Sequence, residues 1–134
     1  MKSLEQWSLE FDDRMPIYRQ IIPQFSRAFV RGDIPPGGRI PSIRELSAVL
    51  KVNTNTIQRV YQELERIELI ISRRGTGYFF TEDNNMILKT RRELAFESLS
   101  RFADEMRALG CSDSEILEEL SDYMKGEKSH EACA

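Results

Sequence analysis

The sequence is poor in the residues that carry most catalytic and metal chemistry. Its 134 residues include one histidine, His130, and two cysteines, Cys111 and Cys133. One histidine near the C-terminus offers no plausible base for a Ser-His-Asp or Cys-His arrangement. The cysteines match neither a metal-ligand spacing nor a disulfide framework, so a reducing, cytoplasmic setting is expected. No glycine-bearing turn has the G-x-x-x-x-G-K or G-x-G-x-x-G spacing of a phosphate loop. Acid pairs such as Glu118-Glu119 are adjacent on a helical pattern and point in different directions. These absences argue against an enzyme and leave no expected cofactor or metal. Nor does any apolar run approach the roughly 20 residues of a membrane span. The opening MKSLEQWSLEFDD lacks the apolar centre of a secretory leader, and no membrane partner is expected.

What is present suits a globular chain, with 40% apolar and 31% charged residues. The formal charge of −3 is unevenly spread. Residues 1–81 hold 12 Lys and Arg against 9 Asp and Glu, a net of +3; residues 82–134 hold 7 against 13, a net of −6. Such asymmetry suggests two jobs along one chain, although two unrelated solvated surfaces would produce the same sums.

Hydrophobic spacing divides the first part into helices and a hairpin. Pro16 suits a first helical turn because it needs no N–H partner. Ile17, Ile21, Phe25, Ala28 and Phe29 follow at helical spacing, with Pro23 expected to kink the helix and Gly32 to close it. Trp7, Leu9 and Phe11 alternate as in a short strand or extended arm. IPPGG (34–38) reads as a turn. Ser42 to Glu45 has the reciprocal capping pattern S-x-x-E, opening a short helix with Ile43, Leu46, Val49 and Leu50 on its apolar face. After KVNTN (51–55), Ile57, Val60, Tyr61, Leu64 and Ile67 mark a third helix, capped by Asn53 or Thr54. Leu69–Ser72 and Tyr78–Thr81 are strand-prone, joined by Arg73-Arg74-Gly75-Thr76-Gly77. Three helices followed by a basic hairpin is the order of a winged helix-turn-helix.

The rest is helical. Leu88, Ala95, Phe102 and Leu109 recur every seven residues, with Leu99 and Met106 between them, an a/d seam interrupted at Arg92. Gly110 is a natural stop. Ser112–Glu115 is a second capping box, with Ile116, Leu117, Leu120, Tyr123 and Met124 as the next apolar face. GEKSHEACA (126–134) reads as a frayed tail.

The cluster Asn53, Thr54, Asn55 and Thr56 is where these patterns become chemistry. A helix entering a major groove reads base edges with its first turn. Asn can pair with adenine through two bonds, and Thr offers a hydroxyl plus a methyl for thymine. Gln58 and Arg59 lie one turn along and extend the set. Capping alone explains one polar residue but not four in a row. Arg44, early in the preceding helix, suits a phosphate or a guanine edge, or stands as a solvated surface cation. Arg73, Arg74, Gly75 and Gly77 offer charge and close backbone approach to a minor groove, or an ordinary soluble turn.

Four stretches carry a family resemblance: PIYRQI (16–21), GDIPPGGRIPSIRELSAVL (32–50), VNTNTIQRVYQELE (52–65) and SRRGTGYFF (72–80). In order and over about half the chain, they resemble the DNA-binding domain of the GntR family of bacterial transcription regulators. The resemblance implies a winged helix-turn-helix that binds a palindromic operator as a dimer. It places Arg44, Thr54, Asn55, Thr56 and Gln58 among the DNA contacts, with Gly75 at a wing tip in the minor groove. The 53 residues after Thr81 are too few for the large effector or aminotransferase-like domains of longer members. A short two-helix appendage is similar to the YtrA-like subfamily, whose members dimerise through it. The family usually has glycine where Lys51 and Glu68 stand, at positions that commonly take a left-handed backbone. A side chain there costs on the order of 1 kcal/mol, which a Lys51–phosphate contact would offset.

The expected fold is therefore α+β and mostly helical. Residues 1–81 form a winged helix-turn-helix, 82–126 a helical dimerisation segment and 127–134 a flexible tail. Leu88, Ala95, Leu99, Phe102, Met106, Leu109, Leu117 and Leu120 are the expected dimer interface. The expected function is a cytoplasmic, homodimeric repressor on double-stranded operator DNA, with an unidentified small-molecule effector as a possible partner. The rival from another class is a winged-helix adaptor that docks a protein on its acidic C-terminal half.

Overall fold

A computed structural model describes residues 14–126. The strand expected at Trp7–Phe11, the tail after Gly126, His130 and Cys133 lie outside the described residues. The chain divides into two compact units, Met1–Arg92 and Glu93–Ala134.

In the first unit, α1 (Ile17–Arg31) follows Pro16 and is closed by Gly32 in a left-handed conformation. Pro23 sits inside this helix without ending it. α2 (Ile43–Leu50) begins as expected, with the Ser42 hydroxyl accepting from the Glu45 N–H at 3.1 Å. α3 (Thr54–Arg66) settles the choice of cap: the Asn53 side-chain oxygen accepts from the Asn55 N–H at 2.8 Å. β2 (Ile70–Arg73) and β3 (Gly77–Phe80) form the hairpin, antiparallel with Ile70 opposite Phe80 and Arg73 opposite Gly77.

A third strand, β1 (Arg39–Ile40), completes a sheet of order β1-β3-β2 and was not expected. Two residues carry no periodicity, so nothing in the spacing marks them. The neighbouring turn extends this pairing: the Phe80 N–H donates to the Gly38 carbonyl at 2.8 Å, and the Gly37 N–H to the Phe80 carbonyl at 3.0 Å. A Cβ at Gly38 would lie 2.8 Å from the Pro35 carbonyl oxygen, too close for any side chain.

The core lies where α1, α3 and the sheet meet. Ile21, Phe25 and Phe29 from α1 pack with Ile57, Val60, Tyr61 and Leu64 from α3, and with Ile40, Ile70 and Phe80 from the strands. Its aromatic centre is a chain of rings. Phe25 stacks on Phe29 at 6.0 Å between centroids, Phe29 on Phe80 at 4.8 Å, and Tyr61 meets both Phe25 and Tyr78 edge-on. Of the expected α2 face, Leu46 is buried, Ile43 and Leu50 are half-buried, and Val49 is exposed.

Lys51 and Glu68 both take left-handed backbones, with φ of 56° and 64°, as the glycine-bearing family pattern implies. At Lys51 this turn lets its N–H return to the Ser47 carbonyl, ending α2 so that α3 can start within three residues.

α4 runs from Asn84 to Ala108, after Asp83 accepts from the Asn85 N–H. Its start belongs to the first unit: Ile87 is buried in the winged-helix core, and Arg91 donates to the Val30 carbonyl at 3.1 Å. In the second unit, Gly110 turns the chain with a φ of 92° and α5 (Asp113–Met124) follows. The Ser112–Glu115 capping box forms in both directions, at 3.0 and 3.2 Å. Arg107 bridges Asp104 and Asp113 across this turn. Leu109 follows the last residue of α4, with its N–H still donating to the Glu105 carbonyl at 3.2 Å. Cys111 is buried at this turn.

Candidate nucleic-acid interface

α3 is amphipathic in a way that fixes which residues it offers outward. Ile57, Val60, Tyr61 and Leu64 are fully or almost fully buried. Their burial rotates Asn53, Thr54, Asn55, Gln58 and Arg59 into solvent, with Thr56 half-buried. Asn53 has its side-chain oxygen committed to the helix cap, which leaves only its NH2 group for a ligand. Among the described residues, Thr54 and Asn55 carry no such commitment in their side chains, and they stand at the helix start, where the free backbone N–H groups also favour an anion.

Tyr61 anchors this arrangement. Its hydroxyl donates to the Pro41 carbonyl at 2.7 Å, tying α3 to the residue that precedes the Ser42 cap of α2. Burial, with Tyr78 and Glu45 adding to it, pushes the Tyr61 phenol well above its ordinary value of 10.0. It therefore stays a donor through the neutral range.

Arg44 is the second residue of α2 and is exposed, with no carboxylate partner among the described residues. In the hairpin, the Thr76 N–H and hydroxyl both donate to the Arg73 carbonyl, at 3.0 and 3.1 Å, and Gly75 and Gly77 take positive φ values of 80° and 117°. Arg74 and Gly75 are exposed at the tip. Arg73 is the last residue of β2 and lies over the Phe79 ring, 4.6 Å from its centroid. That contact aims a cation which the sequence suggested only as charge in a turn.

One cluster escaped the sequence reading. Arg59 donates to the Tyr18 hydroxyl at 3.1 Å while its guanidinium lies 3.8 Å from the centroid of the Tyr18 ring. Arg19 donates to the same oxygen at 3.3 Å. The Arg19 bond pulls the Tyr18 phenol below its ordinary value, with the charges of Arg19 and Arg59 acting in the same direction.

The expected interface residues of the second unit are largely uncovered. Leu99 is 57% exposed, Leu109 74% and Leu117 69%. Leu88, on the first unit, and Ala95 are exposed too, while Phe102, Met106 and Leu120 are half-buried. Phe96, outside the heptad seam, is also exposed, as are Tyr123 and Met124.

Comparison with known proteins agrees with this geometry. Residues 17–80, from α1 to the end of the wing, match the model of the bacterial regulatory proteins of the gntR family. The HTH-type transcriptional regulator YhcF of Bacillus subtilis is 38% identical over 117 residues, which is 87% of this chain and 97% of that relative. The chain belongs to the GntR family. The HTH-type transcriptional repressor YtrA of the same organism is 30% identical over 120 residues, 87% of this chain and 92% of YtrA. A GntR family transcriptional regulator from Listeria monocytogenes superposes with a TM-score of 0.76 at 37% identity, over 88% of this chain and 100% of that one. Within the GntR family the chain is YtrA-like, and it is a DNA-binding transcriptional regulator with a winged helix-turn-helix. Among the described residues, no helix is long and apolar enough to cross a membrane.

Proposed function

We propose that this regulator is a homodimeric, cytoplasmic repressor of a palindromic operator. Each protomer sets the Asn53–Arg59 end of α3 in a major groove and the Arg73–Gly77 wing in an adjacent minor groove. The observation that carries this reading is the outward face of α3: its apolar side is locked in the core, so Thr54, Asn55 and Gln58 have no role in packing. Asn55 reads a base edge, Thr54 and Thr56 contact backbone or a thymine methyl, and Arg44 holds a phosphate or guanine beside them. Residues 82–126 supply the dimer contact. The uncovered Leu99, Leu109 and Leu117 support this, since an apolar stripe of that kind gains by burial against a second copy.

Arg44→Ala tests the contact set. In fluorescence anisotropy at fixed salt, loss of a bidentate or phosphate contact should weaken operator binding by about 1–3 kcal/mol. Unchanged affinity would remove Arg44 from the interface.

A further inference from the structure

Two of the cations in the first unit share one oxygen. The Tyr18 hydroxyl, on the first turn of α1, accepts from both Arg59 on α3 and Arg19 on α1. Both guanidiniums are exposed, and neither has a carboxylate within ion-pairing distance among the described residues. The acid best placed to neutralise Arg59 is Glu63, one turn along α3. It is engaged instead by Arg66, whose Nε donates to both carboxylate oxygens at 3.0 Å. Two like charges are thus drawn together, each with most of its five N–H donors unspent, and no anion between them among the described residues.

Such a pair is built for an anion with several acceptor oxygens. The Tyr18 ring beneath Arg59 holds that guanidinium in one orientation and lowers the entropic cost of using it. Arg59 follows Asn55 by one helical turn and lies on the same flank of α3. With the first turn of α3 in a major groove, the next turn on that flank approaches the groove edge, where the backbone phosphates run. We infer that Tyr18, Arg19 and Arg59 form a clamp on one backbone phosphate of duplex DNA, with Tyr18 as the residue that positions both guanidiniums. The clamp rests on the major-groove reading of α3, and it reassigns Arg59 from base contact to phosphate contact.

The test is fluorescence anisotropy of the full chain on an operator duplex and on a scrambled duplex of equal length, over a salt series. Arg19→Gln and Arg59→Gln should each weaken both duplexes alike and reduce the slope of log affinity against log salt by about one. Tyr18→Leu keeps both charges; it should weaken both duplexes by about 3- to 10-fold with the slope retained. Thermal melting of each variant reports any loosening of α1 on α3. Unchanged slopes in both Gln variants would overturn the clamp. Tyr18→Leu with a lowered melting midpoint but wild-type affinity would overturn the positioning role and leave Tyr18 a structural link. Asn55→Ala separates the two readings. If it erases the operator's advantage over the scramble while the clamp variants bind normally, only the clamp fails. If the wild-type chain binds neither duplex, the major-groove reading fails and the clamp with it.

Discussion

Lys51 shows how a single backbone angle carries the motif. With a φ of 56°, it gives α2 and α3 a three-residue connection that an ordinary right-handed residue could not make. A lysine in place of the family's glycine made a departure of the backbone the expectation there; instead Lys51, like Glu68 before the wing, keeps the left-handed turn. Lys51→Gly should therefore stabilise the fold by about 1 kcal/mol in urea denaturation, since glycine meets no Cβ penalty at that angle. Destabilisation would mean that the lysine side chain contributes more than its backbone costs. Asn53 carries a second lesson. Its place in a run of four small polar residues suited both capping and DNA contact. Only the 2.8 Å bond to the Asn55 N–H shows that its oxygen is occupied.

At the scale of elements, the helices and the hairpin were legible because each has a period, a cap or a turn signal. β1 was not, because Arg39 and Ile40 become a strand only by pairing with Phe79 and Tyr78, about 40 residues away. The Tyr18–Arg59 contact was hidden for the same reason: it joins residues 41 apart, and no local pattern encodes it. Tyr61 was visible as an apolar α3 position, but its bond to Pro41 was not. That bond predicts a measurable cost. Tyr61→Phe leaves the Pro41 carbonyl without its partner and should destabilise the fold by about 1 kcal/mol at neutral pH. The pH dependence follows from the raised phenol. Between the unfolded value near 10.0 and the higher folded one, the folded state holds a proton that the unfolded state has lost. Stability is then fully present below pH 10 and falls as pH rises above it. Tyr61→Phe should flatten that alkaline fall in urea titrations. An equally steep decline would assign it to other groups.

For the whole molecule, the two units differ in what they leave outward. The first buries a contiguous apolar core and exposes Arg44, Arg74 and the start of α3. The second exposes large apolar side chains, and α4 and α5 share no extended packing within the chain. The side chains that the heptad spacing singles out differ in exposure. Phe102 and Met106 are half-buried within the protomer, Leu109 falls beyond the helix end, and Phe96 belongs to the exposed set. Period alone cannot separate side chains that pack internally from those left for a partner. Leu99, 57% exposed, is thus a cleaner probe than Phe102. Leu99→Glu should shift sedimentation from dimer to monomer while leaving the melting of the first unit intact, and operator affinity should fall with the dimer. An intact dimer would move the interface off this face. The central claim, a symmetric pair of recognition helices on a duplex, is tested most directly by selecting bound sequences from random duplex DNA with the full chain. The predicted result is an enriched inverted repeat whose half-sites lie about one helical turn apart. Enrichment of no sequence, or of a single half-site without symmetry, would contradict it.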